Sequence, residues 1–194
     1  MAKYSNEEIL EKYNKQRDKA IEKLKELDVY CGSEINFTGL NGWVFEQVIH
    51  YCITVELKTL GIQNPHIKEQ YKLELGVSES GKKKHPAIID LIIENKILIE
   101  IKGRGYKYGK QDDTKDDDRL RNIKKKAEEE GLVYLYITKE ESKEPKNENS
   151  FDYRKRTREI IGGENCFFLD DEKEDNWYKF VNRVDNILKE KFEK

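Results

Sequence analysis

The sequence predicts an α/β protein in which a mixed central β-sheet is flanked by helices. Its longest apolar stretch, HPAIIDLIIENKILIEIKGRG at 85–105, contains two isoleucine-rich runs separated by the polar residues Glu94-Asn95-Lys96. Short β-branched runs around a polar turn are typical of a buried hairpin. Amphipathic helical segments lie before and after this hairpin, and a further apolar strand, LVYLYIT, occupies 132–138.

The composition is that of one highly charged domain. The 194 residues are 39% charged and 36% hydrophobic, and the formal net charge is −2. This length suffices for one substantial core. We therefore expect a single domain over 1–194, with an N-terminal helical segment at 1–40, a central core at 41–138 and a C-terminal helical extension at 139–194.

Neither a membrane segment nor a disulfide framework is expected. No apolar run approaches the roughly 20 residues of a membrane span, and the N-terminus lacks a signal-peptide core. Cys31, Cys52 and Cys166 are odd in number and widely spaced, which suits reduced thiols. We expect a cytoplasmic protein that is not associated with a membrane.

The element order follows from periodicity and from helix-ending residues. Ser5 and Glu8 form a capping-box pattern at the start of the first helix, and Asn41 is expected to cap the second. The expected helices cover 5–27, 42–60, from 116 or 117 to 130, 151–161 and 175–192. The expected strands cover 70–75, 88–93, 97–102, 132–138 and 166–169, with a loop at 29–39 and a polar linker at 139–150.

Three ionisable residues interrupt the apolar hairpin. Asp90 lies within its first strand, and Glu100 and Lys102 lie at the end of its second. Leaving such groups buried and unpaired costs several kcal/mol, so they are either paired or functional. Asp90 and Glu100 can face each other across the hairpin, and Lys102 shares a face with Glu100 because it lies two residues later.

This set of residues suits metal-assisted hydrolysis of a phosphodiester. Two carboxylates, together with waters and a substrate phosphate, make a suitable Mg²⁺ site. A lysine beside them can orient a metal-bound water and balance the charge on the phosphate. The three histidines, His50, His66 and His85, show no paired spacing that is typical of a zinc site.

Asp90, nine intervening residues and then Glu100-Ile101-Lys102 resemble the motif of the PD-(D/E)XK nuclease superfamily, although Ile89 precedes Asp90 where proline is usual. The resemblance implies a restriction-endonuclease-like fold in which Asp90, Glu100 and the Ile101 carbonyl bind Mg²⁺ or, in its place, Mn²⁺. It also implies that Lys102 assists the attacking water. Glu46, on the preceding helix, is implied as a further catalytic residue and metal ligand.

Size and context resemble the small type II restriction endonucleases, which implies a homodimer that cuts double-stranded DNA. Residues after the hairpin and on the next helix offer side chains suited to bases and phosphates. The predicted DNA-binding residues are Arg104, Tyr106, Lys107, Tyr108, Lys110, Gln111, Arg119 and Arg121. Lys124, Lys125, the lysines at 82–84 and the basic run at 154–158 are further candidates for contacts with the DNA backbone.

Other interpretations remain open on the sequence alone. The acid–acid–lysine set can be a structural ion-pair cluster, Glu46 can face solvent, and the basic residues at 119–126 can form an ordinary solvated helix face. Within the nuclease class, a Holliday-junction resolvase or a repair nuclease is the alternative to a restriction enzyme. Outside that class, the alternative is a DNA-binding module without catalytic activity.

Overall fold

A computed structural model describes residues 2–31, 37–76, 84–103, 110–139, 153–171 and 173–190. The elements follow the order that the sequence predicts, with a short 3₁₀ turn, Gly163–Asn165, before the last strand. The helices are α1 (Asn6–Cys31), α2 (Phe37–Thr59), α3 (Lys110–Glu129), α4 (Tyr153–Ile161) and α5 (Asn176–Lys189). The strands are β1 (Ile67–Leu73), β2 (Ala87–Ile93), β3 (Ile97–Lys102), β4 (Val133–Thr138) and β5 (Cys166–Phe168).

The five strands form one open, mixed sheet in the order β1-β2-β3-β4-β5. The pairs β1–β2 and β2–β3 are antiparallel, whereas β3–β4 and β4–β5 are parallel. Glu94 and Asn95 both have positive φ angles, 51° and 50°, in the β2–β3 turn. Two successive residues with positive φ match the right-handed twist of a tight hairpin, so this turn sets the register of the two strands.

Helices cover both faces of the sheet. One hydrophobic cluster joins α1, α2 and α5 to side chains such as Ile99 and Ile137, and the other joins α3 and α4 to neighbours such as Leu98 and Tyr136. Because successive strand residues point to opposite faces, the two clusters form the two cores of a three-layer arrangement. No helix in the described ranges is long and apolar enough to span a bilayer.

The β1–β2 ribbon changes faces along its length. Leu91 and Ile93 of β2 pack in the cluster with α2, but Ile89, two residues earlier, packs in the cluster with α3. On β1, Gln70 has a φ of 50° at the position opposite Asp90. A left-handed residue other than glycine is uncommon in a strand, and here it marks the point where the ribbon turns. Asp90 therefore lies at this turn of the ribbon.

The start of α2 differs from its prediction. The helix begins at Phe37, so Asn41 lies inside it and is not its N-cap, and the described part of the chain offers no hydrogen-bond partner to its buried Oδ1. The first part of the helix passes close to the end of β3 at Gly42. A Cβ atom on Gly103, which follows β3, would lie 3.0 Å from the Gly42 Cα. Gly103 therefore lets α2 pass close to the end of β3, because a larger residue there would meet the helix backbone.

Two other boundaries are also corrected. Residues at both ends of the predicted loop at 29–39 are helical. Helix α1 continues to Cys31, just before the chain's first glycine, and α2 begins at Phe37. Helix α3 begins at Lys110, six residues before the predicted start. The segment from Lys110 contains no glycine or proline, and its sequence is rich in acidic residues, a composition that favours the start of a helix. Outside these boundaries the structure confirms the capping box, since Ser5 and Glu8 exchange hydrogen bonds.

A buried carboxylate ties the N-terminus and α5 to α2. Glu56, which is 3% exposed, accepts hydrogen bonds from the backbone N–H groups of Lys3 and Tyr4 and from Trp177 Nε1 at 3.0 Å. Hydrogen bonds to a charged acceptor offset the cost of burying it. Glu56 is therefore a structural charge with its donors in place.

We predict that Trp177→Phe lowers the free energy of unfolding by roughly 1–3 kcal/mol, because it deletes an indole donor to a buried carboxylate. Urea denaturation measures the change. Trp43→Phe is the matched control, because Trp43 is 58% exposed whereas Trp177 is fully buried. Equal effects of the two substitutions would contradict the assigned role of Trp177.

Candidate active site

The candidate site lies where β2 and β3 separate. Their backbone pairing ends at Leu91 and Ile99, one residue short of the level at which Asp90 and Glu100 would face each other. Beyond that level the Asp90 Oδ2 atom accepts a hydrogen bond of 2.6 Å from the Ile101 N–H. A carboxylate thus replaces a strand carbonyl as the acceptor, which places Asp90 against the backbone of the predicted motif.

The Glu100 carboxylate is fully buried and carries its cationic partners on one oxygen. Lys102 Nζ lies 2.5 Å from Oε1, and Arg119 Nη1 donates to the same atom at 2.7 Å. The other oxygen, Oε2, is buried without a hydrogen-bond partner among the described residues. A buried carboxylate oxygen with no donor is costly in a protein interior, so this atom is a candidate ligand for a cation.

Burial of Asp90 and the nearby Glu100 carboxylate raise the pKa of Asp90 from its ordinary value of 3.8 to about 6. Lys102 and the hydrogen bond from Ile101 act in the opposite direction. Desolvation and a like charge both disfavour the ionised carboxylate, whereas a bound cation favours it. Without a bound cation, the site therefore disfavours the ionised form of Asp90.

Glu46 of α2 lies near the same residues and contacts β1 through Gln70. Its Oε1 accepts a 3.2 Å hydrogen bond from Gln70 Nε2, and burial raises its pKa while Gln70 and Lys102 oppose the rise. Within the described ranges, no three His, Cys, Asp or Glu side chains are grouped so that they could hold a metal ion. Glu46 is thus near the predicted carboxylate pair but does not form a three-carboxylate cage with it.

The described donors fit a Mg²⁺ ion that keeps much of its hydration shell. Mg²⁺ is held by one or two carboxylates, with waters and substrate phosphate oxygens completing six positions. Asp90 and Glu100 supply two such carboxylates, and the Oε2 atom of Glu100 has no described partner to displace. Asp90 and Glu100 would hold the ion, and the Ile101 carbonyl is a further predicted ligand.

Three residues beside the site had no assigned role in the sequence analysis. Gln70 lies opposite Asp90 and contacts Glu46, and the His50 Nδ1 atom lies 2.5 Å from Glu69 Oε1. The sequence carries no signal for the left-handed backbone at Gln70, because glycine or asparagine is usual there. Glu46 and His50 are four residues apart on one helix and so share a face. This spacing was the available hint that His50 lies beside the site.

The structure describes the side chains of only some of the predicted DNA-binding residues. Residues 104–109, which include Arg104, Tyr106, Lys107 and Tyr108, lie outside the described residues. Lys110 and Gln111 begin α3, but their side chains are not described. Arg121 is exposed on α3, as a DNA contact requires, whereas Arg119 is turned to Glu100.

The other basic candidates largely have partners within the chain. Arg154 pairs with Asp170, and Arg156 pairs with both Asp117 and Glu159. Arg158 lies over the Phe168 ring. Lys84 donates to Asn122, and Lys124 lies 3.7 Å from Glu128, while Lys125 is exposed and Lys82 and Lys83 lie outside the described residues. These contacts favour a structural role for most of the basic run at 154–158.

Comparison with known proteins identifies no relative. No family model matches the sequence, no curated protein matches it, and no solved structure matches the fold. The function is therefore inferred from the residues of the site and from the strand arrangement that holds them.

We predict that Asp90→Asn stabilises the metal-free protein at pH 8 relative to the parent chain. Between about pH 4 and pH 6 the folded parent binds more protons than the unfolded chain, so its stability falls as the pH rises through this window. Asparagine does not titrate, so the advantage of the variant should grow across the window by on the order of 1–3 kcal/mol. Urea denaturation in EDTA at pH 4, 5, 6 and 8 measures it.

Asp185→Asn on α5 is the control for this experiment, because it removes the same charge from a carboxylate that pairs with Lys189. A stability difference between Asp90→Asn and the parent chain that stays constant from pH 4 to pH 8 would show that Asp90 ionises normally. The proposed electrostatic strain at the strand separation would then be absent.

Proposed function

We propose that the chain is a Mg²⁺-dependent DNA endonuclease of the PD-(D/E)XK type with a restriction-endonuclease-like fold. The observation that carries the proposal is the convergence of Asp90, Glu100 and Lys102 where β2 and β3 separate. The topology supports it, because an antiparallel hairpin is followed by a helix and a parallel strand.

Each residue has a distinct task in this proposal. Mg²⁺, when bound, acidifies a water molecule and offsets the negative charge that builds up on the phosphate. Asp90 and Glu100 hold the ion, and the ammonium of Lys102 orients the attacking water. Glu46, from α2, accepts a hydrogen bond from such a water. Because Lys102 lies beside Glu100, it also limits the charge that the two carboxylates present to an approaching phosphodiester.

An ion-pair cluster with a purely structural role explains the geometry around Glu100 less well than a metal site does. Such a cluster gains stability when its buried polar atoms are all satisfied. Glu56 meets that condition, since backbone and indole donors reach both of its oxygens. Glu100 does not meet it within the described residues, because Oε2 has no partner. The contrast between two buried glutamates in one fold favours a ligand-binding role for Glu100.

The substrate that we propose first is double-stranded DNA, cut at a short sequence by a homodimer, as in type II restriction enzymes. Arg121 on α3 and the glycine-rich segment after β3 supply the basic side chains for this role. We place this activity in the cytoplasm, where genomic and incoming DNA are both present.

A structure-selective nuclease is the second candidate, and Trp43 favours it. This indole is 58% exposed on α2, one turn before Glu46. Aromatic side chains stack on bases that are not held in a duplex, with about 1–3 kcal/mol per base. An exposed indole near the candidate site is thus suited to an unpaired nucleotide at a branch or flap.

We predict that Asp90→Ala and Lys102→Ala each abolish cleavage of a plasmid in Mg²⁺ while DNA binding is retained. The reason is that one residue holds the ion and the other orients the water, whereas affinity for DNA depends mainly on phosphate contacts elsewhere. Gel electrophoresis measures cleavage, and fluorescence anisotropy in Ca²⁺ measures binding.

Asp185→Ala and Lys189→Ala are the matched controls, because these two residues pair with each other on α5. Undiminished cutting by either site variant would overturn the assignment. Discrete fragments from genomic DNA would support the restriction enzyme, and cleavage confined to branched substrates would support the second candidate. If the parent chain binds DNA but neither Mg²⁺ nor Mn²⁺ in calorimetry, a DNA-binding module without catalytic activity is the better account.

A further inference from the structure

Arg119 connects the two strands that carry the candidate metal ligands. Its Nη1 atom donates to Glu100 Oε1 at 2.7 Å, and its Nη2 atom donates to the Ile88 carbonyl at 3.2 Å. Glu100 belongs to β3 and Ile88 to β2, two residues before Asp90. The guanidinium therefore spans the gap beyond the last backbone pair of these strands, Leu91 and Ile99.

The position of this guanidinium is set by the packing of α3. Leu120 and Ile123 of the helix are buried against the second face of the sheet, and Arg156 of α4 holds Asp117 at 2.6 Å. A planar guanidinium, whose five N–H donors form a rigid fork, is suited to reach a carboxylate and a carbonyl at the same time. Lysine has the same charge at this position but cannot reproduce both contacts from one rigid fork.

We propose that Arg119 is a positioning residue that sets the selectivity of the site for Mg²⁺ over Ca²⁺, which rests on the proposed metal site of Asp90 and Glu100. By tying β2 to β3, Arg119 fixes the spacing of the two carboxylates. Mg²⁺ demands ligands at about 2.0–2.1 Å in near-octahedral geometry, whereas Ca²⁺ accepts about 2.3–2.6 Å and flexible geometry. A site whose two carboxylates are held in a fixed arrangement therefore favours Mg²⁺, because Ca²⁺ is the ion that tolerates variable geometry.

A comparison of two ions of equal charge and different size distinguishes this geometric role from a purely electrostatic one. Mg²⁺ and Ca²⁺ carry the same charge, so removing a nearby positive charge changes the affinity for both in the same direction and to a similar extent. Loosening the spacing weakens Mg²⁺ selectively. The ratio of the two affinities thus reports on geometry, and their common shift reports on charge.

The test is calorimetric titration of the intact chain with MgCl₂ and with CaCl₂, without DNA, for the parent, Arg119→Lys and Arg119→Met. Both variants should lower the Mg²⁺-to-Ca²⁺ affinity ratio by roughly 10-fold or more, the usual scale for losing a residue that orients a metal ligand. Arg17→Lys and Arg17→Met on α1 are the matched controls, because the described contacts of Arg17, with Asp18 and the Tyr13 ring, are to residues of its own helix. Urea denaturation of each variant establishes that it is folded.

The outcomes separate this inference from the proposed function. If the parent binds Mg²⁺ and the ratio is unchanged in both Arg119 variants, the positioning role is wrong although the metal site stands. If Arg119→Lys keeps the parent ratio and Arg119→Met loses it, a cationic contact that lysine can also make, and not the two-point contact of the guanidinium, is responsible, which also overturns the inference. If the parent binds neither ion, the metal site itself fails.

Discussion

The structure depends on one constraint, the point at which backbone pairing between β2 and β3 stops. Up to Leu91 and Ile99 the two strands form an ordinary antiparallel ladder within the core. Beyond this point, hydrogen bonds from side chains connect the two strands. Asp90 accepts from the Ile101 N–H, and Arg119 joins Glu100 to β2. This arrangement brings two carboxylates and two cations to a hairpin otherwise made mostly of isoleucine and leucine, and the candidate chemistry follows from it.

Two buried glutamates show how the same chain treats structural and candidate functional charges. Glu56 receives N–H donors on both oxygens from segments that are far apart in sequence, and its contacts hold the termini to the core. Glu100 receives two cations on one oxygen, while the other lacks a described partner. Because an unsatisfied buried acceptor costs free energy, its retention is expected where a ligand completes the site.

The sequence predicted the class of fold, the element order and the candidate pair because these follow from local patterns. Apolar runs and the polar turn at Glu94 define the hairpin, and the spacing from Asp90 to Lys102 follows from its register. The contact of Arg119 with Glu100 was not predicted, because an arginine on a charged helix has no local sign of which way it faces. The left-handed Gln70 and the early start of α2 likewise depend on tertiary contacts, such as the approach of Gly103 to Gly42.

The central claim is that Asp90 and Glu100 share one divalent cation at the separated ends of β2 and β3. The most direct measurement is the anomalous difference map of crystals grown with MnCl₂, because manganese scatters anomalously and binds the same oxygen ligands as magnesium. The account predicts one strong peak between the carboxyl group of Asp90 and the Oε2 atom of Glu100, and no such peak in crystals of Asp90→Asn. A map with manganese elsewhere, and none between these two groups, would contradict it.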